Sequence, residues 1–174
     1  VCLLFLLGPG SATAEPARNL EADTPATTVE GNTFIAPAGW KLLVRGAATV
    51  LEAPEGGSFI VIVDVKASDA DAAVAAAWKD YKPGASWPLK AVTPVAPRDS
   101  WTDRKSYTYQ TSPNERRDVG ADVRRANGIW TVTLYDMATD VGEKRGAQAS
   151  MIYGKLLPKG YVRESFAGKK AQPL

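Results

Sequence analysis

The chain has 174 residues, 45% of them hydrophobic, 23% charged and 9% aromatic, with a formal net charge of +2. That balance excludes disordered, fibrous and multi-span membrane classes and suits one globular domain. There is no His, and the only Cys is Cys2, so Ser-His-Asp and Cys-His catalysis, haem ligation through His and zinc sites of the usual composition are excluded within the chain.

Val1 to Leu7 reads V-C-L-L-F-L-L and is followed by Gly8-Pro9-Gly10 and Ala12-Thr13-Ala14. An apolar run ahead of a small-x-small site is the pattern of an export signal, so residues 1–14 are expected to be a signal peptide whose own N-terminus is missing. The run is far shorter than the roughly 20 apolar residues of a membrane-spanning helix, so no stable membrane anchor is expected. A bacterial periplasmic or secreted location follows from that reading. Residues 15–30 are Ala, Thr, Pro and acids with no apolar period, which predicts a solvated leader without fixed structure. Residues 31–162 read as a single α+β domain, and 163–174 as a linker towards a further domain beyond Leu174.

Thr33 to Ala36 forms a strand candidate, Pro37-Ala38-Gly39 punctuates a turn, and Lys41 to Val44 and Ala48 to Leu51 are extended again. Phe59 to Val65 is apolar on both faces and rich in β-branched residues, which predicts an interior strand covered on two sides. Ser68 and Asp71 have capping-box spacing ahead of Ala70, Ala73, Val74, Ala77, Trp78 and Tyr81 at helical intervals, and Pro83-Gly84 ends that helix. Leu89 to Val95 carries Pro94 and suits a sheet edge. Trp101 to Thr111 alternates, with Tyr107 and Tyr109 on one face.

Asn127-Gly128 between two alternating runs is a strong hairpin signal, because both residues tolerate positive φ. It joins Val119 to Ala126 with Ile129 to Met137, on which Trp130, Val132 and Leu134 should point inward. Asp140 and Glu143 have capping-box spacing for a last helix that Pro158 ends, with Ala149, Ile152 and Leu156 on its buried side. The order is β-β-β-α-β-β-β-β-α: an antiparallel sheet of about six to seven strands with two helices.

Neither phosphate-binding glycine loop occurs, and no serine opens an S-x-x-K motif. Asp69 with Asp71, and Asp136 with Asp140, are better explained by helix capping than by a cation site. No cofactor is expected, and the chain reads as non-enzymatic. Arg116, Arg117, Arg124 and Arg125 lie among Glu115, Asp118 and Asp122, which argues against nucleic acid and for a salt-bridged strand surface; they are retained as candidate anion contacts. Trp78 and Trp130 fall on core faces. Trp87, beside Pro88 in a loop, is the candidate contact residue that packing does not explain.

Asn32 to Lys82, with N-T-F-I-A-P-A-G-W-K, a hairpin, F-I-V-I-V-D-V and an Ala-rich helix, resembles the non-catalytic N-terminal domain of exported bacterial serine hydrolases of the β-lactamase family. Ser112 to Arg116, Glu143 to Ala147 and Lys159 to Lys169 extend the resemblance over nearly the whole chain after the leader. The element order is also similar to the PsbP-like α+β fold. The first resemblance implies an accessory module that packs on, or shapes access to, a following catalytic domain of the same polypeptide. That domain would carry the S-x-x-K serine and lysine, so no catalytic residue transfers to this chain. The second carries no function with it; the alternative reading is a free-standing periplasmic binding or assembly protein of that fold, using a groove near Trp87 or the arginine-bearing hairpin.

Overall fold

In the computed structural model, residues 16–163 are described, together with the strand residues Ser165–Phe166 and Lys169–Lys170. The elements run β1 (Arg18–Asn19), β2 (Thr24–Thr27), β3 (Thr33–Ala36), β4 (Lys41–Arg45), β5 (Ala48–Glu52), β6 (Phe59–Val65) and α1 (Ala70–Tyr81). They continue with β7 (Leu89–Val95), β8 (Thr102–Tyr109), β9 (Arg117–Ala126), β10 (Ile129–Ala138), α2 (Thr139–Lys155), β11 (Ser165–Phe166) and β12 (Lys169–Lys170). Eight strands form one antiparallel sheet in the order β1-β4-β5-β6-β10-β9-β8-β7, while β2 pairs with β3 and β11 with β12 in separate hairpins.

The sheet is organised by its two central strands. β10 pairs with β9 across Asn127 (φ 52°) and Gly128 (φ 75°), the two positive-φ positions that a tight hairpin needs. On its other side β10 pairs with β6, Val132 opposite Val63 and Leu134 opposite Val61. Because side chains alternate, each strand serves two cores. Val61, Val63, Val132 and Leu134 pack under α1 with Ala73, Val74 and Trp78, whereas Ile60 and Ile62 pack with Phe34, Trp40, Ile152 and Leu156 on the α2 side. β7 with its Pro94 lies at the sheet edge, as its composition predicts.

Four expectations are corrected. Residues 15–30 are not an unstructured leader where they are described: β1 pairs with β4, β2 pairs with β3, and Leu20 is buried, its N–H donating to the Trp40 carbonyl at 2.9 Å. Burial of one leucine and a few main-chain hydrogen bonds suffice to order a segment that has no periodicity. The main sheet accordingly has eight strands, not six or seven, and β3 leaves it to pair with β2. The N-cap of α1 is Asp69, whose Oδ1 accepts from the Ala72 N–H at 2.8 Å, not Ser68, which instead donates to Asp69. The N-cap of α2 is Ala138, with no side-chain cap, and Asp140 accepts from the neighbouring Val141 N–H. The signal-peptide expectation at 1–14 lies outside the described residues, and so does most of 163–174, apart from the pairing of Ser165–Phe166 with Lys169–Lys170.

A buried polar junction ties the first and last parts of the domain together. Asn32 Nδ2 donates to Asp64 Oδ1 and to Thr131 Oγ1, both at 3.0 Å, and Thr131 Oγ1 donates to the same carboxylate oxygen at 2.9 Å. The Glu30 N–H donates to Asp64 Oδ2, and Asn32 Oδ1 accepts from the Lys159 N–H. Buried polar groups are tolerated when they are partnered in this way.

Candidate functional site

The C-terminal turn of α1 places Trp78 and Tyr81 on the sheet side, and Pro83-Gly84 then turns the chain back so that Trp87 returns to the same place. Trp87 meets Trp78 edge-on, with centroids 5.4 Å apart, and Tyr109 of β8 meets Trp78 perpendicularly at 5.7 Å. The Trp78 indole N–H donates to the Tyr109 hydroxyl at 3.0 Å, which fixes both rings. Trp78 is buried, Trp87 and Tyr109 are half-buried, and between them and α1 remains a recess of about 460 Å³. Lys79 and Lys82 stand on its rim, and the Lys82 ammonium is 5.0 Å from the centroid of the Trp87 ring. Burial pushes the phenol of Tyr109 above its ordinary value, opposed by the hydrogen bond from Trp78, so Tyr109 stays a neutral hydroxyl at physiological pH.

The recess offers aromatic faces with a cationic edge. Arrangements of this kind take up an apolar or aromatic side chain of a partner, or a small ligand with a planar or anionic group. Trp87 is half-buried against Trp78 and lines the recess.

The four arginines do not come together. Arg116 is exposed, at positive φ (46°) in the turn before β9. Arg117 turns inward to the buried Asp136, its Nη2 2.6 Å from Oδ1. Arg124 and Arg125 point to opposite faces of β9. Arg125 lies over Trp130 at 5.4 Å, while Arg124 is only 5% exposed and lies 5.6 Å from the Trp101 ring. Burial, reinforced by the charge of Arg104, lowers the Arg124 guanidinium to about 10, and its Nε has no hydrogen-bond partner among the described residues. Of the basic pairs, only the exposed Arg116 and Arg125 fit the solvated reading; Arg117 and Arg124 correct it.

Asp136 is held by two cations, Arg117 and Lys82, the latter at 2.8 Å, so both of its carboxylate oxygens are committed. Asp71, expected in a capping box, instead accepts from the Tyr107 hydroxyl, and that bond, with Lys105 nearby, holds its carboxyl below the usual range. Among the described residues no three acidic groups converge on a point where a metal ion could sit. No helix among them is long and apolar enough to cross a membrane.

At the opposite edge of the sheet, β1, the β2–β3 hairpin, β4 and the end of α2 enclose a larger groove of about 1320 Å³. It is not apparent from the sequence, because half of its wall comes from residues that composition assigns to an unstructured leader.

No family model and no curated protein matches the chain. Among solved structures, the solution structure of cyanobacterial PsbP (CyanoP) from Synechocystis sp. PCC 6803 superposes with a TM-score of 0.52 at 13% sequence identity. The match covers 86% of this chain and 96% of that one. The fold is PsbP-like. At that identity the likeness establishes architecture, and the site must be argued from its own residues. On the PsbP-like sheet, the Trp87 recess lies on the α1 face beside the β7–β8 edge, and the larger groove lies on the α2 face at the other edge.

Proposed function

We propose that this protein is a non-enzymatic, exported binding or assembly module of PsbP-like fold that engages its partner through the Trp78–Trp87–Tyr109 recess. The observation that carries the reading is the placement of Trp87. Its loop brings a large aromatic ring back onto α1, edge-on to Trp78, yet leaves a recess of about 460 Å³ open beside it with lysines on the rim. A residue serving only the core would close that space, since protein interiors leave few voids larger than water.

The test is a fluorescence titration of the purified chain with an aromatic-containing peptide, a muropeptide and inorganic phosphate, in parallel with Trp87→Ala. Saturable quenching by the peptide or the muropeptide that is lost in Trp87→Ala supports the proposal. Absence of any Trp87-dependent binding overturns it, as does turnover of an ester or amide by the purified chain faster than by a boiled control.

A second reading is that the module is the N-terminal accessory domain of a serine hydrolase of the β-lactamase family. One observation favours it: two stretches that carry the sequence resemblance, beginning at Asn32 and at Lys159, meet where the Lys159 N–H donates to Asn32 Oδ1, next to the main-chain pairing of Thr33 with Leu157. The resemblance thus marks a scaffold junction, as expected of a domain signature without catalytic groups. A reading frame that continues past Leu174 into an S-x-x-K motif supports this reading, and a stop codon there defeats it.

A further inference from the structure

We infer that the groove between the β2–β3 hairpin and β4 binds a single-chain anionic amphiphile of the fatty-acid class, its chain in the groove and its carboxylate between Arg18 and Lys155. The floor is apolar: Ala26, Phe34, Ile35, Leu42, Val44 and Leu157 line it. At about 1320 Å³ it exceeds the ~300–1,000 Å³ common for small-molecule sites, which favours a long occupant over a compact one.

The charges decide the class. Among the described residues, Arg18 and Lys155 are the charged ones that line the groove, both are cations, and both are exposed. Neither forms an ion pair or a side-chain hydrogen bond among the described residues, although most other basic groups near the sheet do, such as Arg117 with Asp136 and Arg145 with Glu55. An apolar trough bounded by two uncommitted cations and no carboxylate complements a ligand with a long apolar body and one anionic end. Lys155 ends α2, where the partial negative charge of the helix C-terminus keeps a cation in place. Arg18 is placed opposite Leu42 by the β1–β4 pairing, so the base of its stem is anchored while its guanidinium has no partner among the described residues.

The inference does not depend on the Trp87 recess, which lies on the other face at the other edge of the sheet. The test is displacement of cis-parinaric acid from the purified chain by oleate, kept below its micelle concentration, and by oleyl alcohol. Oleate should displace the probe, and the alcohol should be weaker by about tenfold, the worth of one charge-assisted contact. The double variant Arg18→Glu/Lys155→Glu should lose about tenfold or more for oleate and little for the alcohol. Thr27→Trp, at an exposed lining position, should block both ligands. Circular dichroism shows whether each variant is folded, and Trp87→Ala should bind oleate as the parent does, so failure of either proposal is seen separately. The inference is overturned if oleate does not bind, if the charge-reversed variant binds it equally well, or if only phosphatidylglycerol vesicles and not monomeric oleate are bound.

Discussion

Arg117 holds Asp136 twice over. Its Nε donates to Oδ1 at 2.7 Å and its Nη2 donates to the main-chain carbonyl of the same residue at 2.8 Å, while a third bond reaches the Gly57 carbonyl at 3.1 Å. The carboxylate is 2% exposed and its other oxygen is taken by Lys82. Arg117 thus ties β9 and β10 to the turn before β6, and Lys82 brings in the end of α1. Replacing Arg117 by Met keeps the stem but leaves the acid buried with one cation, and removing one partner of a buried pair costs more than the pair contributes. Arg117→Met should lower the unfolding free energy by about 2–4 kcal/mol, read from urea melts at constant slope. Arg117→Met/Asp136→Leu should recover most of that loss; a double variant no better than the single would show that the acid is not the cause.

Gly120 is needed for space and not for its dihedral angles. A Cβ built there would overlap the phenol ring of Tyr135, which lies across β9 from the paired strand. Tyr135 in turn contacts Tyr153 of α2, edge to face with centroids 6.5 Å apart, and burial raises its hydroxyl to about 12. Gly120→Ala should therefore destabilise by about 1–3 kcal/mol through overpacking. Gly120→Ala/Tyr135→Leu should cost less than the sum of the two single changes. Additive losses in thermal or urea unfolding would disprove the steric account.

The sequence reveals what local chemistry decides. Asn127-Gly128 sets a turn whatever surrounds it, the apolar run Phe59–Val65 can only be an interior strand, and Pro94 keeps Leu89–Val95 at an edge. What it conceals depends on partners far along the chain. Nothing near Arg117 distinguishes it from Arg116, and only the register of β9 on β10 turns one towards Asp136 and the other to solvent. Leu20 is one apolar residue in a polar stretch, and its burial follows from Trp40, which supplies its main-chain partner. The Trp87 recess was partly legible, because a tryptophan in a Pro-flanked loop has no periodic reason to be there. The Arg18–Lys155 groove was not legible, because its walls come together only when β1 and β2 are ordered.

Glu55 links the β5–β6 turn to α2, accepting from Arg145 at 2.7 Å and pairing with Lys144 at 2.8 Å. These two cations, Arg145 foremost, hold its carboxyl down to about 2. A carboxyl depressed in the folded state stabilises the fold above its unfolded value, and loses that contribution as pH falls through the folded one. Glu55→Gln should therefore cost about 0.5–1 kcal/mol at pH 7, the scale of a partly exposed network, and the two proteins should converge between pH 4.5 and about 2. A gap in urea stability that persists unchanged at the acid end would remove the ion pairs as its cause.

Trp78 and Trp87 touch each other but have different duties, and substitution separates them. Trp78 is 8% exposed, packs with Val74 and Tyr109 and makes the hydrogen bond that locks Tyr109. Its truncation opens a cavity in the core under α1, so Trp78→Ala should cost about 3–5 kcal/mol. Trp87 closes one side of the recess and carries the Lys82 ammonium on its face, a contact worth about 0.5–1 kcal/mol at an exposed site. Trp87→Ala should lower stability by no more than about 1–2 kcal/mol, because the ring buries only part of its area and its loss exposes Trp78 without leaving an enclosed void. Differential scanning calorimetry of the two variants checks the order. Equal losses would place Trp87 in the core and withdraw it from the contact surface.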